Sequence, residues 1–271
     1  MQDAAFAAAG LNWQYELWNT PLDELPARMR LIRTDDGIGG ANVTVPHKQN
    51  VMPFLDAISP QANAIGAVNT IVKTQVGGSG WALNGDNTDW VGFLNDLRWH
   101  GVQPERLVPG AALVLGAGGS ARGIVYALAS AGLAVHVCNR DESRARRLVE
   151  SLQPLFPDTA LRACPLAADA VAANARQTAL IVNCTSAGMS PHADTTPWPE
   201  GATFPAGATL YDLVYKPAET LLMRQAARAG LRVIGGFGML AEQGAAAFER
   251  WTGIPAQQVA GVMRAALQSA A

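Results

Sequence analysis

The 271-residue chain is poor in charge and in cysteine. Asp, Glu, Lys and Arg make up only 15% of it, 22 acidic against 20 basic, leaving a formal net charge of −2. A balance so close to neutral gives no basic stripe for nucleic acid or an anionic membrane, and no run of like charge is long enough to act as a tail. Three cysteines, Cys138, Cys164 and Cys184, are an odd count without a C-x-x-C pair. That argues against a disulfide framework and against a zinc site, and it suits a reducing compartment. No stretch of about 18 apolar residues runs free of charge, and the first residues lack the basic-then-apolar pattern of a secretory signal. The expectation is a cytoplasmic protein with no metal, no membrane and no nucleic acid as partner.

Apolar residues form 49% of the chain, enough at this length for one large domain or two of medium size. One stretch organises the rest: Ala112-Leu-Val-Leu-Gly-Ala-Gly-Gly-Ser-Ala-Arg122. An apolar run from Ala112 to Leu115 breaks into glycines at 116, 118 and 119, and a helical pattern continues from Ser120 to Leu128. Such glycines let a backbone turn tightly and let a pyrophosphate approach the N–H groups at a helix start, while Ala121 is small enough for close helix–strand packing. A tight turn in any α/β protein would look similar, so the flanking strand and helix decide for a dinucleotide site.

The chain opens with a helix over Met1–Ala9, followed by a strand over Leu11–Trp18 and a helix over Asp23–Leu31. A short strand, Ala41–Val45, is closed by Pro46, and a helix after His47-Lys48 ends near Leu55. Residues 67–72 and 81–83 form a hairpin, and Asn87-Thr88-Asp89 caps a helix over Trp90–Leu97. Beyond Pro109, strands over 112–115, 134–138, 179–183, 208–213 and 231–234 alternate with helices, the mark of a doubly wound parallel sheet. Helices over 239–251 and 255–269 end the chain.

A dinucleotide fold usually places an acidic residue about 20 positions past the first glycine to hold the adenosine ribose. Here the second strand ends Val135-His-Val-Cys-Asn-Arg140, with Arg144 one turn on. Guanidinium forks suit a phosphate, so NADP is favoured and NAD is possible. Asp141 would repel that phosphate unless it caps the following helix.

Hydride transfer to a ketone needs a proton donor for the forming alkoxide and a group to orient it. Lys48 past a strand end, Asn69 in Ala67-Val-Asn-Thr70 and Asp89 at the junction of the two halves are candidates. Each has a bland reading, as a solvated charge, a turn former and a cap respectively; His47 reads as a packing residue. Met239 and Gln243, four apart, share one face of a helix.

Taken together, Asn42-Val-Thr-Val-Pro-His-Lys48, Ala67-Val-Asn-Thr70, Gly85-Asp-Asn-Thr-Asp89, Gly116-Ala-Gly-Gly-Ser-Ala-Arg122, Asn139-Arg140 and Gly238-Met-Leu-Ala-Glu-Gln243 stand in an order that resembles the shikimate dehydrogenase family. Asn183-Cys-Thr-Ser-Ala-Gly-Met189 and Tyr211-Asp-Leu-Val-Tyr-Lys-Pro217 extend the likeness over nearly the whole chain. It implies two α/β domains, a Rossmann-type doubly wound sheet and a substrate domain completed by the C-terminal helices, with boundaries at 1–88, 89–236 and 237–271. It implies NADPH-dependent, reversible reduction of 3-dehydroshikimate to shikimate by a monomer or homodimer. Lys48 and Asp89 match the family's acid/base dyad; Thr44, Asn69, Asp89, Tyr215 and Gln243 match its substrate-binding positions. Gly116, Ala117, Gly118, Gly119 and Ser120 would carry the cofactor phosphates, Asn139, Arg140 and Arg144 the adenosine phosphate, and Leu213, Gly236 and Met239 the nicotinamide.

Two departures accompany the likeness. The family opens with a strand and a Ser-x-Ser loop that binds the substrate carboxylate, whereas Met1-Gln-Asp-Ala-Ala-Phe6 matches the helix after that loop. Trp90 stands where glycine is common. The alternatives are a quinate/shikimate dehydrogenase-like paralogue acting on another cyclic polyol, and a non-catalytic protein that binds NADP and a metabolite.

Overall fold

The two ends of the chain share one core, in which Ala5 and Phe6 pack with Ala241, Ala245, Phe248, Val259 and Met263. The computed structural model describes residues 1–78 and 80–269. They fall into two units, one of residues 1–92 with 240–271 and one of residues 93–239.

The first unit holds α1 (Gln2–Ala8), α2 (Leu25–Thr34), β1 (Gly40–Asn42), β2 (Ala57–Ile58), α3 (Pro60–Ile65), β3 (Thr70–Val76) and β4 (Gly80–Asp86). Its sheet has the order β1-β3-β4-β2. The β1/β3 and β3/β4 pairs are antiparallel, and β2/β4 is parallel. Leu25, Met29 and Ile32 recur at helical spacing on α2 and bury one face against Val51, Val68, Ile71 and Leu83. The Ser59 side chain accepts from the Ala62 amide at 3.2 Å to start α3, and left-handed Gly66 ends it. α4 (Asp89–Trp99) begins in this unit and runs into the next.

In the second unit the expected alternation is present. β5 (Ala111–Leu115), α5 (Gly119–Ser130), β6 (Ala134–Asn139), α6 (Glu142–Leu152), β7 (Leu161–Pro165), α7 (Ala168–Asn174), β8 (Thr178–Asn183), β9 (Thr209–Asp212), α8 (Leu221–Arg228) and β10 (Arg232–Gly235) follow in turn. Six strands pair in parallel in the order β10-β9-β8-β5-β6-β7. The order reverses between β5 and β8, so the glycine-rich turn after β5 lies at the switch point of a doubly wound sheet. α9 (Phe237–Thr252) leads out of this unit, and α10 (Gln257–Gln268) closes the chain.

Four sequence expectations need correction. Leu11–Trp18 forms no strand: the Leu11 amide goes to the Phe6 carbonyl, the Tyr15 amide to Asp3 Oδ1 at 2.7 Å, and the Trp13 ring meets Phe6 edge-on. Its backbone groups thus serve α1 rather than a ladder. The stretch after Lys48 makes turns and one short 3₁₀ turn, Met52–Phe54, in which Pro53 offers no N–H to an α-helix. Strand β7 was not expected, because Leu161-Arg-Ala-Cys-Pro165 has no clean alternation. Finally, Cys138 and Cys164 form a disulfide: β6 and β7 pair in a register that sets these residues opposite each other, their Cα atoms 4.7 Å apart. Count and spacing along the chain carry no information about that register. Cys184 stands outside the bond, half-buried. Among the described residues no helix is long and apolar enough to cross a membrane.

The disulfide spans 26 residues and encloses α6. Reduction, or Cys138→Ser, is expected to lower stability by about 2–4 kcal/mol. Urea unfolding with and without a dithiol reductant reads this directly; identical midpoints would mean that the bond contributes nothing.

Candidate active site

Asn69 is the hub of the polar cluster in the first unit. It precedes β3 and is 2% exposed. Its Nδ2 donates to Asp89 Oδ1 at 2.9 Å, Thr88 Oγ1 at 3.0 Å and Gln243 Oε1 at 3.3 Å. Its Oδ1 accepts from the Thr88 amide at 2.7 Å and from Thr70 Oγ1 at 3.0 Å. One amide therefore ties the start of α4 to β3 and to α9. The Asn87 side chain accepts from the Asp89 amide at 3.0 Å and donates to the Ala67 carbonyl at 2.9 Å, fixing the turn that delivers Asp89.

The second carboxylate oxygen of Asp89 meets Lys48 Nζ at 2.6 Å, with the two side chains only 5% and 11% exposed. The lysine backbone is pinned as well, its carbonyl accepting from the Val68 amide at 2.7 Å. Withdrawing an ion pair this far from water seldom gains stability over an apolar pair of the same size. An ammonium held by an aimed carboxylate is instead what proton transfer at an oxygen requires. The adjoining His47 ring is buried and donates from Nε2 to the Thr20 carbonyl at 2.7 Å, bracing the segment before α2.

Gln243 on α9 donates from Nε2 to the Leu240 carbonyl at 2.9 Å, which turns its carbonyl oxygen toward Asn69. α4 and α9 come close at Gly92, where an added Cβ would lie 2.6–2.8 Å from the backbone and Cβ of Gln243. The need for glycine after Asp89 thus falls at 92, and position 90 accommodates Trp90 half-buried. Lys48, Asn69, Asp89 and Gln243 are brought together. Thr44 is exposed in the turn before Lys48, and among the described residues its side chain makes no hydrogen bond to that group.

The second unit carries the other expected residues at the C-terminal ends of its strands. Gly116 has φ +104°, and an added Cβ would press on Thr185 Cγ2 at 3.1 Å and on the Cys184 carbonyl at 3.3 Å. Only glycine fits there. Ala117, Gly118, Gly119 and Ser120 follow, half-buried, into the 12-residue α5. The amide end of that helix suits a pyrophosphate. At the tip of β6, Asn139 Nδ2 donates to the Asp141 carbonyl at 2.8 Å, leaving Arg140 and Arg144 exposed on either side of the turn. Asp141 caps α6, accepting from the Ser143 amide at 3.0 Å and hydroxyl at 2.6 Å. The Ser143 hydroxyl holds its carboxyl below the usual carboxylate range. With that carboxylate committed to the helix and two guanidinium groups exposed beside it, the residues present fit NADP.

Leu213 and Tyr215 follow β9, Gly236 follows β10, and Met239 lies in the first turn of α9. A Cβ on Gly236 would overlap the Leu213 carbonyl, so these two backbones touch. Tyr215 is 44% exposed, its ring 6.3 Å from that of Phe237. Sequence reasoning overlooked the groups that hold these positions: Thr70 and Thr88 around Asn69, and Asn183, Asp212 and Thr220 behind Leu213. The only signal was the presence of most of them in the quoted motifs.

Models of the shikimate dehydrogenase substrate binding domain and of the shikimate 5'-dehydrogenase C-terminal domain match residues 1–71 and 236–268. A curated relative, shikimate dehydrogenase (NADP(+)) of Symbiobacterium thermophilum, is 42% identical over 255 residues, 93% of this chain and 83% of the relative. The chain belongs to the shikimate dehydrogenase family. Among solved structures, shikimate 5-dehydrogenase of Thermus thermophilus in complex with NADP(H) and shikimate is 40% identical with a TM-score of 0.84, over 100% of this chain and 93% of that one. The ligand-free 5-ketofructose reductase of a Gluconobacter strain is 28% identical with a TM-score of 0.78, over 99% and 92%. Both shikimate dehydrogenase domain models fall largely on the unit that holds Lys48, Asn69, Asp89 and Gln243.

Asn69→Ala is expected to destabilise the protein by about 1–3 kcal/mol, since it leaves the buried Thr88 amide unpartnered and the Thr88 hydroxyl with Thr70 alone. Asn69→Asp sets a second carboxylate against Asp89. The added carboxyl keeps its proton in the folded state, so stability falls as pH rises above the ordinary aspartate range near ~4. Urea midpoints at pH 5 and pH 8 test both variants; a pH-independent midpoint for Asn69→Asp would remove Asn69 as the partner of Asp89.

Proposed function

We propose that this protein is an NADP-dependent shikimate dehydrogenase that interconverts 3-dehydroshikimate and shikimate. The observation that carries the reading is the shielded Lys48–Asp89 ion pair, 2.6 Å long and anchored by Asn69 in the unit that both domain models match. Gly116 to Ser120 cradle the cofactor phosphates, Asn139, Arg140 and Arg144 take the adenosine phosphate, and Leu213, Gly236 and Met239 border the nicotinamide. The bound cofactor supplies the hydride that reduces the ring ketone.

Lys48 gives its proton to the carbonyl oxygen as that oxygen becomes an alkoxide, and takes a proton back from the hydroxyl in the reverse direction. Asp89 aims the lysine and, with Thr44, Asn69, Tyr215 and Gln243, receives the ring hydroxyls. Polyol recognition needs several such groups, because each buried partner left unmatched costs about 1–3 kcal/mol. The 5-ketofructose reductase neighbour makes another polyol ketone the rival substrate. The higher identity to the Thermus enzyme that binds shikimate favours the first reading. Comparison of kcat/KM for shikimate, quinate and 5-ketofructose decides between them; a preference for either of the latter would overturn it.

Lys48→Ala is expected to lower kcat by about 10²–10⁴-fold with a much smaller change in shikimate binding. Near-normal turnover would exclude the lysine as acid and base. Arg140→Ala should weaken NADPH far more than NADH, because only the former carries a 2′-phosphate for the guanidinium to meet. Equal losses for both cofactors in steady-state KM would place the arginine elsewhere.

A further inference from the structure

Asn183 and Asp212 are the last residues of β8 and β9, paired in register, and both are completely buried. Asp212 Oδ1 accepts from Asn183 Nδ2 at 2.8 Å and from the Val214 amide at 3.0 Å, while Oδ2 accepts from Thr220 Oγ1 at 2.7 Å. Asn183 Oδ1 in turn accepts from the Thr185 amide at 2.9 Å and hydroxyl at 2.7 Å. Thr185 is the residue whose Cγ2 closes on Gly116, and Thr220 Oγ1 goes on to accept from the Met223 amide at 3.2 Å where α8 starts. Two strand tips, the glycine-rich turn and the loop after β9 thus meet through one carboxylate.

A carboxylate is the demanding choice for this place. Burial pushes the Asp212 carboxyl above its ordinary range, with the three donors pulling the other way. An amide would be easier to bury. It would keep its oxygen for Asn183 and the Val214 amide, but its NH₂ would force Thr220 Oγ1 from donor to acceptor, and the charge that strengthens all three bonds would be lost. We propose that Asp212 is a positioning residue: by holding the Val214 amide it sets the turn Leu213–Tyr215, and through Asn183 and Thr185 it keys that turn to the phosphate cradle at Gly116. This rests on the proposed reading of Leu213 and Tyr215 as groups facing nicotinamide and substrate. A misplacement of about 1 Å in such groups can cost about 100-fold in rate.

The test separates position from stability. Asp212→Asn should lower kcat by about 10–100-fold and raise the shikimate KM, while calorimetric affinity for NADP+ changes less than about 3-fold. Hydrogen exchange of amides 213–216 should quicken while that of β8 and β9 stays slow. The exchanged pair, Asn183→Asp with Asp212→Asn, keeps the bond between the strand tips but sets an NH₂ against the Val214 amide. Its melting temperature should recover while kcat and exchange at 213–216 do not. Joint recovery of kcat and stability would reduce the pair to a structural brace and overturn the proposal, as would normal kcat with slow exchange in Asp212→Asn. Should Asp212→Asn not fold, Thr220→Val removes one donor and is read the same way, with a several-fold loss of kcat. A wild-type chain that oxidises no shikimate would refute the functional reading alone, since exchange at 213–216 still decides the role of Asp212.

Discussion

The substrate-side site depends on one buried amide. Asn69 gives its two N–H donors to a carboxylate, a hydroxyl and the amide oxygen of Gln243, and takes two hydroxyls and a backbone N–H in return. An amide donates and accepts at once through separate atoms, so it can reconcile Asp89, which accepts only, with Thr88, which offers both. Its reach across sequence is long, since Gln243 lies 174 residues away. That distance explains why the unit is assembled from both chain ends: the first 92 residues carry the dyad, and residues 240–271 bring Gln243 and the apolar faces of α9 and α10 that cover α1.

The cofactor side obeys a different logic. There the sheet presents its C-terminal edge and four of its six strand tips contribute one element each: Gly116 after β5, Asn139 on β6, Asn183 on β8 and Asp212 on β9. Side-chain bonds among these tips take up donors that the sheet leaves unpaired where its strands end. The disulfide adds a covalent tie at the same edge, one residue before Asn139, so the turn bearing Arg140 stands on a cross-linked pair of strands. A pair of cysteines that reads as unremarkable along the chain is therefore part of the platform under the turn proposed to meet the adenosine phosphate.

Much of this was legible in the residues. The five strands drawn in the second half are all present, because buried parallel strands read as short apolar runs between glycines and helix starts. Lys48, Asn69 and Asp89 stand as candidates on chemistry alone, but each has a bland reading, and only the likeness to a family lifts them and Gln243 above it, since a lysine, an asparagine and a glutamine alone carry no signature. What escaped has a common cause. Strand β7, the Cys138–Cys164 pair and the Asn183–Asp212 pair are consequences of register between strands, which a linear pattern does not encode. The failed strand at Leu11–Trp18 shows the converse: alternation was sufficient to suggest a strand, yet Asp3 and Phe6 had claimed its amides.

Gly92 carries a last implication. Since α4 and α9 meet there with no side chain between them, the spacing from Asp89 to Gln243 is set by main chain against main chain. A gap governed by side-chain packing drifts as core residues are exchanged over generations, whereas one governed by backbone contact works as a fixed gauge. The separation of Asp89 from Gln243, the groups proposed to receive ring hydroxyls, is thus insulated from changes of size among the apolar side chains around them.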